Sequence, residues 1–179
     1  DVFIHTPNEP GNEEWRTVLV GGLRAGGKAL FALDVTDPDE FDSLAGAISN
    51  VLWEFSHDDL GYSFSRPAIV KLNSGDWAAI FGNGYNSDPN GDGSAKLFIV
   101  NLATGELVRE PLTTNAGSVV NGDCSDVLSD CNGLATPATV DTSGDGVVDR
   151  VYAGDLKGNM WVFDLSDANP ANWGTAYGS

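Results

Sequence analysis

Hydrophobic runs bounded by Gly, Asn and Asp recur along this chain, and their Val, Ile, Leu and aromatic content predicts strands rather than helices. Val18-Leu19-Val20-Gly21-Gly22 aligns with Ala79-Ile80-Phe81-Gly82-Asn83 and with Val151-Tyr152-Ala153-Gly154-Asp155. After a turn, Ala29-Leu30-Phe31-Ala32-Leu33-Asp34-Val35 aligns with Lys96-Leu97-Phe98-Ile99-Val100-Asn101-Leu102 and with Asn159-Met160-Trp161-Val162-Phe163-Asp164-Leu165. Each pair predicts a hairpin. Pro67-Ala68-Ile69-Val70 and Pro137-Ala138-Thr139-Val140 predict a strand before two of the hairpins. Val51-Leu52-Trp53-Glu54-Phe55 and Glu106-Leu107-Val108-Arg109 predict an outer strand after two of them. The unit is four antiparallel strands, repeating after 67 residues (Leu30 to Leu97) and again after 63 (Leu97 to Met160). Four-stranded repeats are propeller blades. The expected fold class is therefore all-β, a β-propeller with about three four-stranded antiparallel blades over residues 15–56, 63–113 and 134–165. These blades lie in one partial propeller domain, residues 1–179. The excess over a common blade period of roughly 40–50 residues falls in loops at 36–47, 82–95 and 113–133. No helix is demanded; at most a short one fits residues 37–44, with Pro38 in its first turn. Closed propellers need about four to eight blades, so the expectation is an arc of a larger propeller.

One loop carries candidate chemistry. Asp141-Thr142-Ser143-Gly144-Asp145-Gly146-Val147-Val148-Asp149 places oxygen-bearing side chains at alternate positions, Asp141, Ser143 and Asp145, and then Asp149. Gly146 stands sixth, where calcium loops turn sharply, and the Val147 carbonyl stands seventh, where they present a backbone oxygen. Crowded carboxylates repel unless a hard cation neutralises them, and all-oxygen ligands favour Ca2+ over zinc or copper. Position twelve is Tyr152 rather than the Glu of an EF-hand, which leaves a short loop between strands as the context. A solvated Asp/Gly-rich hairpin is the alternative. The repeat argues against it: Val70 to Ala79 advances nine positions with one acid between them, whereas Val140 to Val151 advances eleven and holds the whole ligand set.

Other polar clusters are weaker. Asp88, Asn90 and Asp92 also alternate, but the ninth position is Lys96, and Pro89 with two glycines accounts for a turn. The loop's binding of a second ion stays open. His5 and His57 are isolated from any nucleophile. Gly21, Gly22, Gly26 and Gly27 precede a strand rather than a helix N-terminus, so they form no phosphate loop. Trp53, Trp77 and Trp161 occupy strand positions and read as packing. No catalytic constellation is present, and a non-enzyme is expected.

Charge and cysteines narrow the setting. With 26 acids against 9 bases the chain carries −17, which opposes association with nucleic acid or an anionic membrane surface. There is no apolar run long enough to span a bilayer, so direct membrane insertion is not expected. The chain begins at Asp1 in strand-like sequence, as an excised or processed part of something longer would. Cys124 and Cys131, with six residues between them, would form a local disulfide outside a reducing compartment, which favours an extracellular or periplasmic setting.

Read in order, these motifs resemble the C-terminal domain of the PilY family. The resemblance rests on Leu19-Val20-Gly21-Gly22, Gly26-Gly27, Ala32-Leu33-Asp34-Val35-Thr36-Asp37-Pro38, Leu52-Trp53-Glu54-Phe55, Gly82-Asn83-Gly84-Tyr85-Asn86-Ser87 and the run from Tyr152 to Leu165. It extends from about Trp15 to Trp173. It implies a modified, quinoprotein-like β-propeller from a type IV pilus biogenesis factor and tip-associated adhesin. It further implies a calcium-dependent balance of pilus extension against retraction, twitching motility, cell adhesion and a place at the cell surface or pilus tip, outer-membrane-associated or extracellular. The implied partners are pilus subunits and minor pilins, with host or surface receptors engaged by regions outside this chain. The family's calcium ligands fall on Asp141, Ser143, Asp145, the Val147 carbonyl and Asp149; position 143 is often Asn in the family, and a hydroxyl is the weaker ligand.

Two rival readings stand. Leu33-Asp34-Val35-Thr36 with Trp53, and Thr104-Gly105, resemble the tryptophan-docking repeats of pyrroloquinoline-quinone dehydrogenases, whose paired cysteines are adjacent where these are separated. A surface-binding propeller with integrin-like calcium loops shares the Asp-rich hairpin, but such loops recur across blades and one is convincing here.

Overall fold

The computed structural model describes residues 2–5, 13–85, 90–120, 124–126 and 128–177. The chain opens with a hairpin of β1 (Val2–His5) and β2 (Glu13–Arg16) that forms its own two-stranded sheet. Three antiparallel sheets come next as successive meanders. The first contains β3 (Val18–Gly22), β4 (Leu30–Asp34) and β5 (Val51–Phe55). The second contains β6 (Ala68–Lys71), β7 (Trp77–Gly82), β8 (Lys96–Asn101) and β9 (Leu112–Thr113). The third contains β10 (Ala138–Val140), β11 (Arg150–Gly154), β12 (Met160–Asp164) and β13 (Gly174–Thr175). This is the all-β propeller architecture, with blades side by side.

The middle sheet shows why its sequence reads as unbroken hydrophobic runs. Ile80, Leu97 and Ile99 face Val151, Phe163 and Leu165 of the third sheet. On the other face Phe81, Phe98 and Val100 meet Leu30, Ala32, Trp53 and Phe55 of the first. A sheet covered on both sides has no polar face to alternate with. In the third sheet, by contrast, Val151 and Ala153 are buried while Tyr152 between them is exposed, the alternation of a half-covered strand.

Three expectations need correction. The outer strand of the second blade is not residues 106–109: Leu107 makes a single bridge to Val100, the chain bends, and pairing resumes at β9 against Leu97 and Lys96. Arg109 is drawn away at the bend, donating through Nη1 to the carbonyls of Pro170 (2.8 Å) and Trp173 (2.6 Å). The first sheet has three strands rather than four, and the third gains β13, which lies beyond the expected limit at residue 165. The short helix allowed at residues 37–44 forms as a 3-10 turn, and helix also forms beyond it. A 3-10 turn runs Pro38–Asp42, with α1 (Leu44–Ser49) directly after it, and a second 3-10 turn runs Pro170–Asn172. None of these buries a residue. Caps hold the first two: Asp37 accepts the Asp39 amide and Ser43 accepts the Gly46 amide.

Polar clasps tie the blades together. At the end of β11, Asp155 accepts hydrogen bonds from Asn132 Nδ2 (2.8 Å), Asn159 Nδ2 (2.8 Å) and Trp161 Nε1 (2.9 Å). It also accepts the main-chain amides of Lys157 and Asn159. Burial pushes this carboxyl up, but the donors from Asn159, Trp161 and Asn132 outweigh it and hold the pKa at about 2. The folded value lies below the unfolded one, so the contribution is complete above about pH 4 and is lost as pH falls toward 2. Asp155→Asn is expected to lower stability at pH 7 by about 1–3 kcal/mol. It should also flatten the decline of the urea midpoint between pH 4 and 2, read by fluorescence. An unchanged acid limb would mean that other carboxylates carry it.

Candidate metal centre

The loop joining β10 to β11 folds around its own carboxylates. Asp141 Oδ1 accepts the amides of Ser143 (3.1 Å) and Gly144 (2.6 Å), and Oδ2 accepts Gly146 (2.8 Å). The amides of Gly146 and Gly144 hold the Asp141 carboxyl below the usual carboxylate range. Asp145 Oδ1 accepts the Val147 amide at 2.9 Å. Gly144 and Gly146 take φ of 81° and 86°, the left-handed region that turns the loop this tightly.

Asp149 is the buried member, 7% exposed. Its Oδ2 accepts the Thr142 hydroxyl (2.6 Å), the Thr142 amide (2.8 Å) and the Ser143 amide (3.1 Å). These donors, the Thr142 hydroxyl first, lower its pKa. The Ser143 amide is thus shared by Asp141 and Asp149, which brings the two ends of the loop together. Ser143 Oγ donates to Asp141 Oδ1 at 3.1 Å and keeps its lone pairs.

Two residues that the sequence pattern did not single out complete the arrangement. Thr142 is the main donor to Asp149. Asn73, in the equivalent hairpin of the second sheet, donates through Nδ2 to the carbonyls of Val148 and Leu165 (3.1 Å each) and to Asp149 Oδ1 (3.4 Å). The Val148 amide bonds back to Lys71 O at 3.0 Å, so the loop is stitched to the preceding blade. The only sequence signal for Asn73 was its alignment with the loop, in the turn that lacks the acids.

The donor set is all oxygen: the side chains of Asp141, Ser143, Asp145 and Asp149 and the Val147 carbonyl. That chemistry fits a hard cation such as Ca2+. Among the described residues no ion pair involves these three carboxylates; neighbouring Arg150 is paired with Asp164 at 3.1 Å. Nor, among the described residues, do three His, Cys, Asp or Glu side chains gather closely enough to hold a metal ion as they stand. Asp141 and Asp149 approach one another, while Asp145 turns to its own loop amide.

The other candidates prove structural or lie outside the described residues. At the second acidic loop, Asp88 lies outside the described residues; Asp92 Oδ2 meets Lys96 Nζ at 2.8 Å, and Asp59 meets it at 2.6 Å, so an ammonium supplies the positive charge there. His57 Nδ1 accepts the Asp59 amide at 3.1 Å, and the His5 side chain lies outside the described residues. Cys124 and Cys131 are joined by a disulfide, with Cα atoms 5.6 Å apart. No helix among the described residues is long and apolar enough to cross a membrane.

A family model described as the PilY1 beta-propeller domain matches residues 4–178. A type IV pilus biogenesis factor PilY1 homolog of Xylella fastidiosa is 52% identical over 167 residues, covering 91% of this chain and 11% of its own length. The type IV pilus biogenesis factor PilY1 of Pseudomonas aeruginosa is 46% identical over 154 residues, covering 84% and 11%. The crystal structure of the Pseudomonas aeruginosa PilY1 C-terminal domain superposes with a TM-score of 0.74 at 37% identity, covering 92% of this chain and 33% of that one. The chain therefore spans 11% of the length of these curated relatives.

Proposed function

Because this chain belongs to the PilY1 β-propeller family, we propose that it acts as a non-catalytic, calcium-responsive part of a type IV pilus biogenesis factor. In this reading it favours pilus extension over retraction and so supports twitching motility and surface attachment. The observation that carries the reading is the oxygen-rich loop of residues 141–149, three carboxylates without a basic partner among the described residues, inside a chain matched to the family over residues 4–178. Asp141, Ser143, Asp145, the Val147 carbonyl and Asp149 would hold the ion. Bound calcium supplies the positive charge that this acidic loop lacks.

The chain's own residues carry the effect of that charge beyond the loop. Thr142 and Asn73 hold Asp149 in place, and Asn73 with Lys71 couples the loop to the second blade, so the order of the loop affects a surface shared by two blades. The partners in this reading are pilus subunits and minor pilins, met at the cell surface or pilus tip. The Cys124–Cys131 disulfide suits such an oxidising setting.

Calorimetric titration with calcium is expected to show one binding event, on the order of 10⁻⁴–10⁻³ M for an extracellular module. Asp145→Ala should abolish it. No heat in the wild-type chain would remove calcium from the reading and leave family membership standing. Equal binding of pilin subunits by wild type and Asp145→Ala, with and without calcium, would remove the regulatory role.

A further inference from the structure

At the end of the sheets away from the acidic loop, the segments entering the second and third blades meet the hairpin turns. β10 leads from this end into residues 141–149, and β11 returns to it, where Leu134 bridges Asp155. Here a cleft of about 170 Å³ opens between Phe64, Tyr85, Leu134, Thr136 and Leu156. Phe64 stacks on Tyr85 with ring centroids 5.4 Å apart, and Tyr62 leans on Tyr85 at 5.6 Å. Phe64 is 39% exposed and Leu156 62%.

Basic side chains gather beside this cleft in a molecule that is acidic overall. Among the described residues no Asp or Glu lines the cleft, although the chain carries 26 acids against 9 bases. The nearest carboxylate in sequence, Asp155, is occupied by Asn132, Asn159 and Trp161. Arg24 places its guanidinium over the Phe64 ring at 5.3 Å, and Lys28 lies over Tyr62 at 5.6 Å. Arg66 comes two residues after Phe64, exposed, with its amide on the Thr136 hydroxyl of the cleft wall. Neither arginine has a carboxylate partner among the described residues. Arg24 also takes φ of 54°, which disfavours an Arg and which Asn or Gly would accept more readily. A strained position that nevertheless carries the guanidinium points to a use for it.

We propose that this cleft docks an extended peptide segment of a partner protein, one with an aromatic or bulky aliphatic side chain flanked by carboxylates. The apolar side chain would fill the cleft against Phe64 and Tyr85, and the carboxylates would face Arg24 and Arg66. A saccharide fits less well, because the polar side chains in the walls are few and Ser65 is buried and already bonded to Gly82 and Ala135. The inference does not depend on the calcium reading, since the cleft and the acidic loop lie at opposite ends of the third sheet.

The test is an array of synthetic nonapeptides with a central Phe, flanked by Asp, Asn or Lys at each neighbouring position, probed with the full chain with and without calcium. The Asp-flanked set should be retained about tenfold more strongly than the Lys-flanked set, and equally without calcium. Phe64→Ala and Arg24→Asn should each remove the preference, while Arg24→Asn keeps or raises the urea midpoint because the backbone strain is relieved. Equal retention of all sets, a preference that survives both substitutions, or equal capture of a neutral oligosaccharide probe would overturn the proposal.

Discussion

Asn83→Ala is expected to destabilise the fold by about 3–5 kcal/mol, a large share of the roughly 5–15 kcal/mol that holds an ordinary domain together. Asn83 is 1% exposed and satisfies four groups from three separate segments. Its Nδ2 donates to the carbonyls of Asp59 (3.2 Å) and Ser94 (2.9 Å). Its Oδ1 accepts the amides of Lys96 (3.0 Å) and Leu134 (2.8 Å). Truncation leaves buried amides and carbonyls without partners, and that desolvation outweighs the modest net gain of the original bonds. Asn83→Asp is the informative companion. It keeps the acceptor, loses the donor and buries a carboxylate, whose folded pKa is thereby raised. Its remaining stability should be highest below about pH 4 and fall as pH rises, the reverse of the acid limb expected for Asp155. Urea unfolding across pH reads both variants. A loss under about 1 kcal/mol for Asn83→Ala would mean that water replaces the side chain and the clasp is not structural.

Trp53→Ala should cost a similar amount, about 3–5 kcal/mol, by a different mechanism. The indole is 6% exposed, packed between the first and second sheets, with Nε1 donating to Leu102 O at 2.8 Å. It lies against Gly105, where a Cβ would fall 2.6 Å from Trp53 Cβ and where φ is 75°. The glycine is thus fitted to the ring on both steric and conformational grounds. Trp53→Phe separates the contributions: it retains much of the packing and leaves the Leu102 carbonyl without its donor, for an expected loss of about 1–3 kcal/mol. If Phe proves as costly as Ala, the hydrogen bond to Leu102 rather than the packing of the ring governs the joint.

Most of the strand framework was legible because adjacent strands repeat the same local chemistry. β3 and β5 fall where the hydrophobic runs begin and end, and the β7–β8 and β11–β12 hairpins lie where the aligned repeats place them. The family was legible for the same reason, since its motifs come one after another in order along the turns. Of the helical segment at 38–49 only the first turn was legible, through Pro38; α1 buries nothing and so leaves no periodic stripe, and its cap Ser43 is one short polar residue among many. The outer strand of the second blade was misplaced because Leu107 and Val108 look like strand residues. In the structure the chain bends there, where Arg109 is held by the Pro170 and Trp173 carbonyls from more than sixty positions away.

The acidic loop divides in the same way. Its oxygen spacing and its glycines were written in residues 141–149, since a tight turn is a local property of nine consecutive residues. The partners of Asp149, above all Asn73 of the neighbouring blade, were not, and the same holds for Asn83 and for the aromatic cleft between Phe64 and Leu156. By itself the sequence determined strands, hairpins, blade period, family and the chemistry of one loop. The tertiary structure decided which blade faces which and which polar side chains close the joints. Periodicity reports which side of a strand is apolar; it carries no information on which distant amide or carbonyl a buried Asn will satisfy, because that is settled only when the sheets pack.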